Sequence, residues 1–599
     1  MAAIVSVLST FTCKLPSLPT SHSYQTTTTT RRSGNYGPSA WDFTYIQSLN
    51  TTYNKQMLLP NVRLALQAES FVTRRDELKE RVKNMLMNHE EMKELEKMEM
   101  IDELQRLGCC YHFEDEIKAA LMDIYMKNSK SYYKSSEEKD LYATALEFRL
   151  LRQNGYNISQ DIFDSFMDGD RSGFNGSLCE DIKGLLHLYE ASFLSLEGET
   201  TLELAKNFST KHLKRVAHEK NNLNNQQGLL ASVQRALELP LHWRMPRSEA
   251  RCFIDSYDKG KRIKTTWNPI LLELAKLDFN MVQAVHQEDL RFVSRWWENS
   301  YITERLTFVR DSMVENFFWA IASNSNPKFS NWRRTKAKLN CLICTIDDIY
   351  DVYGTLDELH LFTDAIERWN DVTEIDHLPK YMRFCYLALY NFINEVAYDV
   401  LKEHDIFILH YLRKSWADLC KAYLQEAKWY HSGYTPTFEE YIENAWISSS
   451  SPLILVHAFF LVNHPLDEAA ARHCLMTEYH EIIRLSSMIV RLTDDKGTSP
   501  YEMERGDVPK AIQCYMNEAR VSMDDARDFV DFHINETWKK LNKARIKDNC
   551  PFSETFIEVA MNLARVSHCM YQHGDGHGTK NMETQTLIQA TLFEPIVFL

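Results

Sequence analysis

Three aspartates close the apolar run "LNCLICTIDDIYDVYGT", residues 339–355: Asp347, Asp348 and Asp351. Burying an unpaired charge is costly, so carboxylates here either cap a surface turn or face something strongly positive. On a helix, Asp347 and Asp351 share a face and Asp348 lies beside Asp347. Three like charges at that spacing repel. A hard divalent cation removes the repulsion, and Mg²⁺ commonly takes one or two carboxylates plus substrate phosphates. A second cluster follows the apolar stretch "EIIRLSSMIVRL". In "RLTDDKGTSPYEMERGD", Asp494, Thr498 and Glu502 stand at i, i+4 and i+8, all oxygen donors on one helical face. One cluster alone is a weak signal. Two, each at the polar end of an apolar helix, can face each other across a cavity and hold several Mg²⁺ ions, with a diphosphate as the natural guest.

The elements that position these residues are helices. At 599 residues the chain is too long for one ordinary core. Only 18 Gly and 16 Pro are present, too few for the many turns of a sheet protein. Aromatic residues make up 12%, enough to line a cavity as well as fill cores. The formal net charge of −15, with no basic block, argues against nucleic acid as a partner. No apolar run reaches the ~18 residues of a membrane span. The nearest, "PLILVHAFFLV", reads as a buried helix. Thirteen scattered cysteines are not a disulfide framework, and the single C-x-x-C of Cys341 and Cys344 lacks the second pair a zinc site needs.

Residues 1–30, rich in Ser and Thr and free of acidic side chains, read as an organelle transit peptide. From about residue 55 the pattern is helical. In "EEMKELEKMEMIDELQRLG", Met92, Leu95, Met98, Ile101, Leu104 and Leu107 form one stripe, and Gly108 supplies the stop. The polar stretch "RMPRSEARCFIDSYDKGKR", 244–262, is the expected domain boundary, dividing an N-terminal domain, 31–255, from a C-terminal one, 256–599.

On these residues the chain resembles the plant terpene synthases of the ionisation-initiated type, and among them the plastid monoterpene synthases. "DDIYDVYGTLDEL" is similar to that family's aspartate-rich motif and "DDKGTSPYE" to its second metal motif. "RRSGNYGPSAW" matches the tandem-arginine motif, with Arg31 and Arg32 followed after eight residues by Trp41. "LAKLDFNMVQAVHQEDLRFVSRWW" and "MYQHGDGHG" also resemble family signatures. The resemblance implies an all-α fold of two helical barrel domains, the active site in the C-terminal one and the N-terminal one without chemistry of its own. It implies that Asp347 and Asp351, supported by Asp348, bind two Mg²⁺ or Mn²⁺ ions, and that Asp494, Thr498 and Glu502 bind a third. Arg310, Arg491 and Lys510 match positions that grip the diphosphate of a prenyl substrate. Trp319 and Tyr571 match aromatic faces for the carbocation, and Asp575 belongs to a covering loop. Arg31, Arg32 and Trp41 belong to an arm that folds over the site. The serines of 448–452 match a helix break that shapes the cavity. A monomer in the chloroplast stroma is expected.

Three departures stand against the family pattern. Ser312 replaces the second Arg of an Arg-Asp-Arg motif, removing a permanent charge near the diphosphate. Lys496 stands where an apolar residue is usual, but about 200° round the helix from Asp494 it points away from the metal face. Pro500 denies a hydrogen bond to the carbonyl of Lys496 and is expected to kink the helix before Glu502. Ser312 favours an acyclic product of the ocimene, myrcene or linalool type from geranyl diphosphate. The complete Arg31–Arg32–Trp41 set favours a cyclic one, and of the two the acyclic product is slightly favoured. Dimethylallyl or farnesyl diphosphate as substrate, a chain-elongating prenyltransferase, and a non-catalytic helical scaffold are the alternatives.

Overall fold

The computed structural model describes residues 31–49, 53, 62–87, 92–130, 140–218, 227–259, 267–369, 372–505, 508–547, 550–576 and 581–598. The transit peptide expected at 1–30 lies outside them. Among the described residues the protein is helical, and the only β pairing is an isolated bridge between Met167 and Phe174. The stripe read at 92–107 forms helix Glu94–Arg106. It buries Met98, Ile101 and Leu104, and ends at Gly108, whose φ of +77° only glycine adopts without strain.

The N-terminal half packs around three apolar cores and the C-terminal half around one large one. Helix Pro269–Ser300 joins them, with Leu271–Phe279 in an N-terminal core and Leu290–Trp297 in the C-terminal one. A divide at 255/256 would cut helix Pro246–Lys259. Several charges of that stretch are interior: Arg244, Arg247 and Glu249 are buried. Glu249, 4% exposed, meets Arg106 at 3.0 Å, Arg244 at 3.0 Å and Arg235 at 2.8 Å.

The segment 591–596 lies along the joining helix. Asn280 exchanges hydrogen bonds with the backbone of Ile596 at 2.9 and 2.7 Å. Gln283 donates to the carbonyls of Thr591 and Glu594, and Gln287 to that of Leu592. This strap presents Phe593 to Trp41 of the N-terminal arm, with ring centres 5.1 Å apart. Residues Phe438–Val462 are long and apolar enough to cross a membrane by composition alone. They are mostly buried in the C-terminal core and broken at Ser450, which takes a left-handed φ of 62°.

Candidate active site

The first wall of the site is helix Ser330–Asp348, held in the core by Leu339, Leu342 and Ile346. It runs into a π turn, Ile349–Tyr353, closed by the Gly354 N–H donating to the Ile349 carbonyl at 2.7 Å. Asp347 and Asp351 line a cavity there, together with Arg310. Asp348, expected to support the metal-binding pair, does not line it. One residue is 100° on an α-helix, which turns Asp348 inward to 0% exposure. Its carboxylate accepts from the Arg310 main-chain N–H at 2.9 Å, from Arg310 Nε at 2.9 Å and Nη2 at 2.6 Å, and from the Tyr36 hydroxyl at 2.8 Å. Burial pushes its carboxyl above the ordinary range, against the opposing pull of Arg310. Asp348 is therefore the anchor that aims Arg310, whose Nη2 also reaches Asp347 at 2.6 Å. Ser312 is buried and accepts from Asn316 Nδ2 at 3.4 Å.

The second wall is helix Glu481–Arg505, seated by Ile482, Ile483, Ile489 and Leu492. Asp494 and Thr498, one turn apart, line the same cavity, as does Arg491 one turn earlier. Arg491 pairs with Asp494 and, at 2.6 Å, with Asp495. Burial first, then Asp495 and Asp575, push the Asp494 carboxyl up to about 6, although Arg491 and Lys510 oppose them. Asp495 turns inward and accepts from the Tyr441 hydroxyl at 2.8 Å and the Ala511 N–H at 3.1 Å. Lys496 points away from the cavity, as its 200° offset requires, and its ammonium meets both oxygens of Asp531 at 2.6 and 2.8 Å. The helix runs on through Pro500. The side chain of Glu502 lies outside the described residues.

Helix Glu554–Tyr571 closes the back of the site. It approaches so near that a Cβ on Gly497 would stand 2.6 Å from the Tyr571 carbonyl oxygen. Tyr571 and Trp319 face the cavity with ring centres 6.1 Å apart, and Asp575 and Lys510 also line it. Lys510 Nζ donates to the buried Glu426 at 3.1 Å.

The arm roofs the mouth. Arg31 forks onto Glu358 at 2.8 Å through both terminal nitrogens, donates to the Tyr353 carbonyl at 2.9 Å and lies over the Tyr353 ring. Arg32 donates to the Asp351 carbonyl at 3.0 Å and lies over Tyr430. Trp41 Nε1 donates to Glu315 at 2.9 Å. The enclosed space is about 500 Å³, within the ~300–1,000 Å³ of small-molecule sites. Sequence reasoning did not single out Tyr36, Glu358, Glu426, Asp495 or Gly497. All but Glu426 fall inside quoted motifs.

The donor set fits divalent cations of the hard, oxygen-binding kind. Asp347, Asp351, Asp494 and Thr498 offer only oxygen. Among the described residues no three acidic, Cys or His side chains converge tightly enough to hold an ion alone. Further oxygen donors must complete each shell, and a diphosphate brings them.

A helical protein whose hollow joins oxygen donors, cationic side chains and aromatic faces belongs to the class of enzymes that act on diphosphate esters. A model of the terpene synthase N-terminal domain matches residues 40–237, and one of the terpene synthase family metal-binding domain matches 298–540. The chain is 53% identical to the chloroplastic limonene synthase of Coffea arabica over 94% of this chain and 89% of that protein. The structure of limonene synthase with 2-fluorolinalyl diphosphate aligns with a TM-score of 0.88 at 44% identity, covering 95% of this chain and 100% of that one. Isoprene synthase from grey poplar leaves, with three Mg²⁺ ions and dimethylallyl-S-thiolodiphosphate, aligns with a TM-score of 0.81 at 43% identity, covering 91% and 99%. The chain belongs to the terpene synthase family, carbon–oxygen lyases acting on prenyl diphosphates.

Proposed function

We propose that this chain is a plastid monoterpene synthase that ionises geranyl diphosphate and releases diphosphate and a C10 hydrocarbon or alcohol. The carrying observation is that both oxygen-donor walls and three cationic side chains, Arg310, Arg491 and Lys510, line one cavity of about 500 Å³. Asp347 and Asp351 on one wall, and Asp494, Thr498 and Glu502 on the other, would hold Mg²⁺ or Mn²⁺, three ions in all, as in the isoprene synthase structure. Divalent ions bound there supply positive charge that stabilises the departing diphosphate. The chain's own cations do the same work from the protein side. Arg310 and Arg491 present forked donors and Lys510 a point charge. The C–O bond breaks with its electron pair leaving on the diphosphate. The allylic cation left behind faces Trp319 and Tyr571, whose ring quadrupoles attract it by up to ~2 kcal/mol or more in a dry site. The docked arm keeps water out while the skeleton rearranges.

A cyclic product is the reading favoured by the arm. Arg31 and Arg32 are both engaged at the mouth, which holds the ion pair together long enough for isomerisation. An acyclic product is the second reading, favoured by Ser312 in place of a third permanent charge. Residues 1–30 as a transit peptide, a stromal location and a monomeric state complete the proposal, the chloroplastic relative supporting the plastid. The test is incubation of purified protein with geranyl diphosphate, with and without Mg²⁺ or Mn²⁺, and gas chromatography of the products. A volatile C10 product that requires the metal is expected. A lengthened diphosphate would make it a prenyltransferase, and no product from any prenyl length would leave a scaffold.

A further inference from the structure

Two buried carboxylates that never touch the cavity tie its anion-binding end to its floor. The floor is the break between helices Phe438–Ser448 and Ser451–Val462, where Ser448, Ser449, Ser450 and Ser451 all line the hollow. Glu426, on helix Leu409–Ser432, is 2% exposed. Its Oε2 accepts from Lys510 Nζ at 3.1 Å, and its Oε1 accepts from the Ser448 hydroxyl and, at 3.5 Å, from Asn444 Nδ2. Asp495, 0% exposed, stands likewise between Arg491, at 2.6 Å, and the Tyr441 hydroxyl, at 2.8 Å, of the same Phe438–Ser448 helix. Both cations beside Asp494 are thus bound through a carboxylate to the helix whose end shapes the floor.

The physical consequence follows from charge sharing. A carboxylate between an ammonium and a hydroxyl divides its lone pairs between them, and a charge-assisted bond is about twice as strong as a neutral one. When an anion takes part of the Lys510 charge, the hold of Glu426 on Lys510 weakens and its hold on Ser448 tightens. We propose that Glu426 is a positioning residue that ties Lys510 to the Ser448 hydroxyl, so that seating of the substrate diphosphate fixes the shape of the floor beneath the hydrocarbon chain. The inference rests on the reading of the cavity as a prenyl diphosphate site.

Linkage makes the tie reciprocal: if the anion sets the floor, a change in the floor alters affinity for the anion. Ser448→Ala and Glu426→Gln are compared with the full-length wild type in three readouts: melting temperature, binding of inorganic diphosphate with Mg²⁺ by calorimetry, and product ratio from geranyl diphosphate. Ser448→Ala is expected to weaken diphosphate binding about fivefold and to shift the product ratio. Glu426→Gln is expected to shift the ratio in the same direction and to make diphosphate affinity insensitive to Ser448→Ala, and the double variant to show no further shift in ratio. A Ser448→Ala ratio shift with diphosphate affinity unchanged, or ratio shifts that add in the double variant, overturns the tie. Should Glu426→Gln fail to fold, Ser448→Ala decides alone through diphosphate affinity. A wild type that binds diphosphate and turns over no prenyl diphosphate sinks the proposed function, while the calorimetric comparison still decides the tie.

Discussion

Replacing Asp348 by Asn keeps the shape of the side chain and removes the charge that aims Arg310. In the wild type this fully buried carboxylate takes three hydrogen bonds from Arg310 and one from Tyr36. An Asn offers one acceptor oxygen and turns an amide toward donors that need acceptors. Removing one member of a buried ion pair costs about 3–5 kcal/mol. Arg310 is 17% exposed and keeps Asp347 at 2.6 Å, which places the cost near the lower end, about 3 kcal/mol. At 1.4 kcal/mol per decade, a loss of that size in binding the transition state lowers kcat/KM roughly 100-fold. The assay that separates anchoring from metal binding is a Mg²⁺ titration of turnover, run beside limited proteolysis of the 31–41 arm. Asp348→Asn is expected to leave the half-saturating Mg²⁺ concentration within about threefold of wild type and to expose the arm to cleavage through the loss of the Tyr36 bond. The reasoning is refuted if Asp348→Asn raises the Mg²⁺ requirement as far as Asp347→Asn does while the arm stays protected.

Asp347→Ala is expected to abolish turnover with the far-UV helical signal intact, and retained turnover would remove Asp347 from the metal site. Gly497→Ala forces helix Glu554–Tyr571 back by about 0.8 Å to relieve the 2.6 Å approach to the Tyr571 carbonyl. Overpacking of ~1–3 kcal/mol outweighs the ~1 kcal/mol gain in helix propensity, so thermal melting should show lower stability and product analysis a changed product ratio. Wild-type values on both counts would rule out the close approach. Burial pushes the Glu358 carboxyl up, but Arg31, the Thr355 N–H and Tyr381 outweigh it and hold it down at about 2. A depressed carboxyl contributes its full stabilisation above the ordinary value near 4.5 and loses it as pH falls toward 2. Protection of the arm from proteolysis by an acid-stable protease should therefore be flat above pH 5 and fade between about 4.5 and 2. In Glu358→Gln that acid-dependent fading should disappear. A loss of protection beginning above pH 6 would point to a different anchor.

Helical periodicity made the two walls legible, because a face repeats every three to four residues and the donors keep that interval. Asp347, Asp351, Asp494 and Thr498 accordingly reach one cavity. The outward turn of Lys496 was legible for the same reason, although its partner Asp531, 35 residues on, was not. The inward turn of Asp348 was not legible, because adjacent carboxylates on a helix differ only by rotation and the direction of the core is a tertiary fact. Glu426 and Glu249 carry no local signal, since a buried paired carboxylate has the same letter as a solvated one. The π turn at Ile349–Tyr353 was invisible too, as its residue types suit an ordinary helix. The expected domain divide lies where polarity rises, and the burial of Arg244, Arg247 and Glu249 just before it was not legible in the sequence.

The stack of Trp41 on Phe593 has a bearing on how the molecule is made. Trp41 leaves the ribosome early and Phe593 six residues before the end, and domains form in order of synthesis. Nascent chains that have not yet reached Phe593 therefore present the basic arm with no ring to rest on.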